Sequence, residues 1–150
     1  MIEKDKTLQS ILNIFPMITE TFFENFLVSS DMLKDLNTTH TKTLMTLKYE
    51  GGSTMSEISR KIELEKGSFT PVANKLIKLG YIEKVQSVED RRKSMLRLTE
   101  LGHSFADRFQ KEHTEYIYSQ LDKLSEAEQD AYLAAINLVL SLSRKMLEQK

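Results

Sequence analysis

The stretch VEDRRKSMLRLTELG, residues 88–102, decides which fold the sequence can adopt. Two acids at 89–90 run directly into three bases at 91–93. Residues 94–98 then alternate apolar and polar side chains, as a half-buried strand does, and Thr99 is of the residue type that caps a helix. We therefore predict a hairpin with a cationic tip, whose return strand leads at once into a helix.

A short helix is predicted upstream of this hairpin. The sequence TMSE, residues 54–57, has the form of a capping box, with Thr54 at N-cap and Glu57 at N3. A tight turn then leads into a second helix over about residues 67–79, and Gly80 ends it as a C′ glycine.

Pro71 makes the start of this second helix ambiguous. If Ser68 is the N-cap, Pro71 lies in the first turn, where its missing N–H has no helical partner to lose. If Glu65 is the N-cap, Pro71 lies inside the helix, where proline distorts the backbone. We favour Ser68.

The remaining segments complete a winged helix-turn-helix. Apolar residues at helical spacing predict a helix over about 4–34, bent at Pro16, and another over about 38–49. A long helix follows Thr99 to about residue 122, and a capping box at 125–128 opens the last one. The order α-α-(β)-α-α-β-β-α-α predicts a mainly α protein with a small β-hairpin.

Composition excludes several kinds of protein. The 150 residues include no cysteine, which excludes disulfides, thiolate zinc sites and thiol redox sensing. The N-terminus lacks a signal-peptide apolar region and no apolar run could span a bilayer, so we expect a cytoplasmic protein with no membrane partner. No P-loop, dinucleotide fingerprint, zinc-protease motif or nucleophile elbow is present, so we expect neither an enzyme nor a cofactor.

The positive charge is concentrated in the middle of the chain. Residues 58–97 hold ten bases and five acids, a net charge of +5. The rest holds eleven bases and seventeen acids, a net charge of −6. A basic segment between acidic flanks indicates a polyanionic partner for that segment.

Double-stranded DNA is the partner that the motif predicts. The N-terminal turns of the second helix in such a motif enter the major groove, where lysines suit phosphates and hydroxyl or amide groups suit phosphates or base edges. The candidates on this helix are Lys66, Ser68, Thr70, Asn74 and Lys75.

At the hairpin tip the candidates are Asp90, Arg91, Arg92 and Lys93. An arginine suits the narrow minor groove, and Asp90 is predicted to hold one arginine while the other reaches the DNA. Whether Arg91 or Arg92 enters the groove stays open.

Residues 55–102 resemble the MarR family of bacterial transcription regulators. The matching pieces are MSEISRKIELEKGSFTPVANKLIKLGYIEK, then EDRR and LTELG. The family's D-x-R wing signature falls on residues 90–92, and its L-T-x-x-G falls on residues 98–102. The sequence at 67–71 also resembles the branch that senses organic hydroperoxides through a cysteine, but this chain has no cysteine.

The resemblance implies a homodimeric regulator, a repressor, that binds a palindromic operator. It implies dimerisation helices at residues 1–36 and 100–150 around a winged helix-turn-helix at 37–99, with Arg92 as the minor-groove contact positioned by Asp90. Apolar surface on the terminal helices independently favours a dimer.

A small aromatic or anionic effector is a further partner that the resemblance implies. The candidate residues for binding this effector are Phe15, Phe22, Phe23, His40 and Tyr116, although aromatic residues at helical spacing also suit a plain core.

Two alternative functions stay open. One is a metal-responsive regulator of the same fold, using the three histidines with nearby carboxylates. The other is a winged-helix protein-interaction adaptor without DNA binding.

Overall fold

The computed structural model describes residues 4–149, in which seven α-helices and three short strands form. The helices are α1 (Lys4–Thr19), α2 (Asn25–Ser29), α3 (Thr38–Glu50), α4 (Met55–Lys61), α5 (Lys66–Lys78), α6 (Glu100–Leu121) and α7 (Glu126–Glu148). The strands are β1 (Ser53–Thr54), β2 (Ile82–Gln86) and β3 (Ser94–Leu98). From α3 to α7 this order confirms the prediction.

The predicted first helix is divided into shorter pieces. Pro16 lies within α1, and the α-helical pattern gives way to a π-helical turn at Glu20–Glu24 before α2 begins. A short 3-10 turn follows at Asp31–Leu33. The predicted single helix over residues 4–34 is therefore wrong in its continuity, although its helical character is confirmed.

The chain divides into two compact units. The winged-helix unit comprises Asn25–His113, and the flanking unit comprises Met1–Glu24 with Thr114–Lys150, of which residues 4–24 and 114–149 are described. The boundaries predicted from sequence lie instead at 36/37 and 99/100, and they rest on an expected role of the terminal helices in dimerisation. That role stays a prediction.

The three strands form one antiparallel sheet with the order β1-β3-β2. In the hairpin, Ile82 pairs with Leu98 and Gln86 pairs with Ser94, so β2 and β3 align over their full length. The two-residue strand β1 lies on the other side of β3, with Ser53 opposite Leu96. The hairpin is therefore joined to the rest of the sheet through the pairing of β3 with β1.

A single apolar core holds the winged-helix unit together. Its buried members come from α3, α4, α5, the sheet and α6: Leu44, Leu47, Ile58, Phe69, Ala73, Leu76, Ile82, Leu96, Leu98 and Ala106. Burying one Leu, Ile or Phe side chain contributes about 1.5–3 kcal/mol. The core thus fixes α5 and the hairpin in one rigid body.

Apolar side chains of the flanking unit remain exposed in the single chain. Neither α1 nor α7 has a buried residue along its described length. Their large exposed side chains include Leu8, Ile11, Leu12, Phe15, Leu133, Leu138, Val139, Leu140, Leu142, Met146 and Leu147. Among residues 4–149, no helix is both long and apolar enough to cross a lipid bilayer.

Both predicted capping boxes are confirmed. The Thr54 side chain accepts the backbone N–H of Glu57, whose carboxylate accepts the backbone N–H of Thr54 at 2.9 Å. Ser125 and Glu128 make the equivalent pair of bonds at the start of α7. These reciprocal bonds hold the carboxylate of each glutamate against a helix N-terminus and lower its pKa.

Candidate nucleic-acid interface

Helix α5 begins earlier than predicted. Glu65 is its N-cap, in an extended conformation without a side-chain bond, and its carbonyl accepts the backbone N–H groups of Ser68 and Phe69 at 2.9 and 3.0 Å. The N-cap at Ser68 is therefore wrong, and Pro71 lies inside the helix. The early start brings Phe69 into the core, where it is fully buried.

The five predicted contact residues of α5 are all exposed. They are Lys66, Ser68, Thr70, Asn74 and Lys75. The opposite face of the helix buries Phe69, Ala73 and Leu76. Burial of that face fixes the rotation of α5, so its polar face points to solvent.

Residues 87–93 form the hairpin loop, which we call the wing tip. The backbone N–H of Ser87 donates to the carbonyl of Lys93, and that of Lys93 donates to the carbonyl of Asp90, both at 2.9 Å. The backbone N–H of Asp90 donates to Oγ of Ser87 at 3.3 Å. The tip is thus held by bonds among its own residues.

Asp90 contacts the backbone and not an arginine side chain as predicted. Its Oδ1 accepts the backbone N–H of Arg92 at 3.0 Å, two residues along the chain. The side chains of Arg91, Arg92 and Lys93 are exposed. An aspartate bonded to the backbone two residues on stabilises a tight turn. Asp90 therefore shapes the loop that carries the cations.

The stem of the wing contains an ion pair that was not predicted from the sequence. Glu83 and Arg97 face each other across β2 and β3, and Nε of Arg97 donates to Oε1 of Glu83 at 2.7 Å. Both side chains are about half exposed. The strand register would have shown this pair, because directly opposed residues lie on one face of a hairpin.

The base of the wing is bonded to the start of α6. The backbone N–H of Thr99 donates to the Tyr81 carbonyl at 3.1 Å, and its hydroxyl donates to the Gly80 carbonyl at 2.5 Å. The same hydroxyl accepts the backbone N–H of Gly102 at 3.1 Å, which confirms the predicted helix cap.

The five residues predicted to bind an effector are distributed over both units. Phe15, Phe22, Phe23 and Tyr116 belong to the flanking unit, and His40 belongs to the winged-helix unit. Phe15 is 75% exposed and Phe23 is 45% exposed. The ring of Phe22 lies 6.1 Å from that of Tyr132. Their role in effector binding stays a prediction.

His40 has a structural role at the start of α3. Its Nδ1 accepts the backbone N–H of Asn37, and the Asn37 side chain accepts the backbone N–H of His40, each at 3.0 Å. Burial, followed by the positive charge of Lys75, lowers the pKa of His40. Both effects favour the neutral imidazole, whose Nδ1 can accept a hydrogen bond.

One surface pocket lies within the winged-helix unit. Its volume is about 350 Å³, and it is lined by Met32, Tyr81, Leu101, Ser104, Phe105 and Arg108. Within residues 4–149, no three His, Asp or Glu side chains are grouped so that they could hold a metal ion. The described residues therefore give no support to the metal-responsive alternative.

Known transcription regulators are similar in sequence to this chain. Residues 36–94 match the model of the MarR family. The HTH-type transcriptional regulator SarZ of Staphylococcus haemolyticus is 27% identical over 107 residues, which cover 71% of each protein. The HTH-type regulator YpoP of Bacillus subtilis is 27% identical over 95 residues, 63% of this chain and 67% of that protein.

A solved structure covers nearly the whole chain. The crystal structure of Streptococcus pneumoniae FabT in complex with DNA is 28% identical, with a TM-score of 0.66, and the match covers 97% of this chain and 95% of that one. Fold, exposed polar helix and cationic wing define a DNA-binding transcriptional regulator of the winged-helix class. Within that class, residues 36–94 resemble the MarR family, and the chain is similar to SarZ and FabT over most of its length.

Proposed function

We propose that the protein is a homodimeric repressor that binds a palindromic operator and is released by a small aromatic or anionic ligand. The single observation that carries the DNA contact is that the polar face of α5 and the cationic wing tip belong to one unit with one core. Because that core fixes both elements, α5 can lie in the major groove while the wing reaches the adjacent minor groove.

The exposed apolar side chains of α1 and α7 support the homodimer. A second copy of the chain would remove these side chains from water, and contiguous apolar patches of this kind mark interaction surfaces. A two-fold axis would also present two identical α5 helices to two half-sites of a palindrome. Because bacterial DNA lies in the cytoplasm, the proposal places the protein there.

The experiment that tests the proposal is a salt titration of binding to a mixed-sequence DNA duplex. We expect the logarithm of the affinity to fall steeply with the logarithm of salt concentration, because lysine and arginine contacts with phosphates release counterions. Absence of binding at low salt would contradict the proposal and favour the protein-interaction adaptor.

Arg92→Ala is the matched variant for the wing. Its backbone N–H still donates to Asp90, so the turn is retained while the exposed guanidinium is removed. We expect weaker binding, by about tenfold, and an unchanged melting temperature and dimer. Lys34→Ala removes an exposed cation that pairs with Asp31, far from α5 and the wing in sequence, and should bind as the wild type does. A melting temperature that falls with Arg92→Ala would show that this side chain is structural.

Arg91→Ala, measured beside Arg92→Ala, decides which arginine enters the minor groove. A groove-inserted arginine gains from the narrow groove of an A-tract, so the variant that lacks it should lose the preference for A-tract duplexes. The other variant should lose affinity equally on all duplexes.

A further inference from the structure

Three parts of the DNA-binding region meet at one short segment, Gly80-Tyr81. Gly80 (φ +78°) turns the chain at the end of α5, and the backbone N–H of Tyr81 donates to the Leu76 carbonyl at 3.0 Å. Strand β2 begins at the next residue, Ile82, opposite Leu98 at the end of β3. The end of α5 and the base of the wing are thus consecutive in the chain.

The Thr99 hydroxyl makes two bonds that have different consequences. As an acceptor from the N–H of Gly102 it caps α6, which any Ser, Thr, Asn or Asp could do. As a donor to the Gly80 carbonyl it bonds the start of α6 to the end of α5, nineteen residues earlier in the sequence. A hydroxyl can do both because it has one donor and two acceptor sites. The donated bond is not needed for capping.

Gly102 brings α6 close to the same segment. A Cβ atom added at this position would lie 1.9 Å from the carbonyl oxygen of Tyr81 and 3.2 Å from the side chain of Leu98. The close approach allows the Thr99 hydroxyl to reach the Gly80 carbonyl. Thr99 and Gly102 therefore act on the two consecutive carbonyls that link α5 to β2.

We propose that Thr99 is a positioning residue for DNA recognition. Its hydroxyl bonds the end of α5 to the base of the wing, and thereby fixes the angle at which the polar face of α5 and the wing tip are presented together. The inference rests on the proposed DNA-binding function. It adds that a residue without contact to DNA sets how many phosphates α5 and the wing reach at the same time.

Three substitutions separate this positioning role from simple capping. Thr99→Ser keeps both bonds. Thr99→Val keeps the shape and loses both bonds. Thr99→Asp keeps an acceptor for the N–H of Gly102 but has no donor for the Gly80 carbonyl. Because the aspartate also adds a negative charge, Ser104→Asp, on the exposed surface of α6, is its charge-matched control.

The measurement is the salt dependence of binding to a mixed-sequence duplex, at a temperature where circular dichroism shows every variant folded. We expect Thr99→Ser to bind within about twofold of the wild type. We expect Thr99→Val to bind about tenfold more weakly, with a shallower salt slope because fewer phosphates are contacted. Thr99→Asp should likewise bind about tenfold more weakly than Ser104→Asp, although its melting temperature stays close to that of Thr99→Ser.

Equal affinity and slope for Thr99→Asp and Ser104→Asp would overturn the inference and leave Thr99 as a helix cap. This pair decides the question even if Thr99→Val does not fold, because an aspartate still caps α6. A failure of the proposed function is distinguishable, because the wild-type protein would then bind no duplex at low salt. In that case the positioning role would be lost with it.

Discussion

The winged-helix unit and the flanking unit use similar amphipathic helices in different ways. In the winged-helix unit, α5 buries Phe69, Ala73 and Leu76 against a core made by its own chain. In the flanking unit, α7 is longer and rich in Leu, yet none of its residues from Glu126 to Glu148 is buried. The same helical periodicity therefore accompanies a completed core in one unit and an uncovered surface in the other.

The winged-helix unit can keep its shape without a partner, because its core is complete within one chain. The unit that carries the predicted DNA contacts has its core within one chain, so the shape of the DNA-binding surface depends little on a partner. The flanking unit gains most from a second copy, which would cover its apolar side chains. Mutations in the two units should therefore differ in their effects on stability.

Truncation in each unit should have different consequences. Phe69→Ala, in the winged-helix core, should lower the free energy of unfolding by about 3–5 kcal/mol at every protein concentration. Leu140→Ala, 49% exposed on α7, should lower it by an amount that depends on protein concentration, because it weakens the proposed dimer. Urea denaturation at several concentrations measures both. A concentration-independent loss for Leu140→Ala would break the contrast.

Alanine should destabilise the winged-helix unit at the tightly packed Gly102 and not at the open Gly67. Gly102→Ala places a Cβ atom 1.9 Å from the Tyr81 carbonyl, so the backbone must shift, at a cost of about 1–3 kcal/mol. Gly67→Ala, in the first turn of α5, meets no atom within 4 Å and should be neutral or stabilising by up to about 1 kcal/mol. Thermal denaturation measures the two. Equal effects would show that the start of α6 can move away.

Glu63, in the turn between α4 and α5, is strained. Among the described residues other than glycine, it alone has a positive φ, of 57°. Glu63→Gly removes this strain and should raise the free energy of unfolding of the winged-helix unit by about 1 kcal/mol or less, since glycine also increases the entropy of the unfolded chain. Glu63→Ala retains the strain and is the control. A gain with Ala as large as with Gly would assign the effect to the lost charge.

The lowered carboxyl pKa of the capping glutamate should have a small effect on stability, and the same one in both units. The carboxyls of Glu57 and Glu128 have pKa values below their ordinary 4.5, chiefly because each accepts a backbone N–H. A lowered pKa in the folded state stabilises the protein above pH 4.5, and this stabilisation is lost as the pH falls through the folded-state value. Carbon NMR titration should give both pKa values below 4.5. In the Glu57→Gln variant, the melting temperature should depend less on pH in the acid range. A Glu57 carboxyl that titrates at 4.5 or above would contradict this.

Sequence predicted those features that neighbouring residues determine. Local sequence was sufficient to predict the capping boxes at Thr54 and Ser125 and the end of α5 at Gly80. Each depends on side chains and backbone within four residues of each other. The capping partner of Asn37 was missed, because His40 occupies the position where Glu or Gln is expected.

The errors arise where distant packing or backbone geometry decides. No side-chain cap marks the start of α5 at Lys66 in the sequence. The start follows from the burial of Phe69 in a core that other elements complete. At the wing, the residues were predicted correctly as a loop, but Asp90 contacts the nearby N–H of Arg92 and not a side chain. Charge pairing in the sequence suggested the wrong partner, because it does not show how tightly the backbone turns.

The hydrogen bonds that close the wing tip bear on how such a regulator can diverge. They involve the Ser87 and Asp90 side chains and otherwise main-chain atoms. Positions 89, 91 and 92 can therefore change without loss of the loop. After gene duplication, substitutions at these positions could change how one copy binds DNA, while the inherited scaffold keeps the loop in its shape.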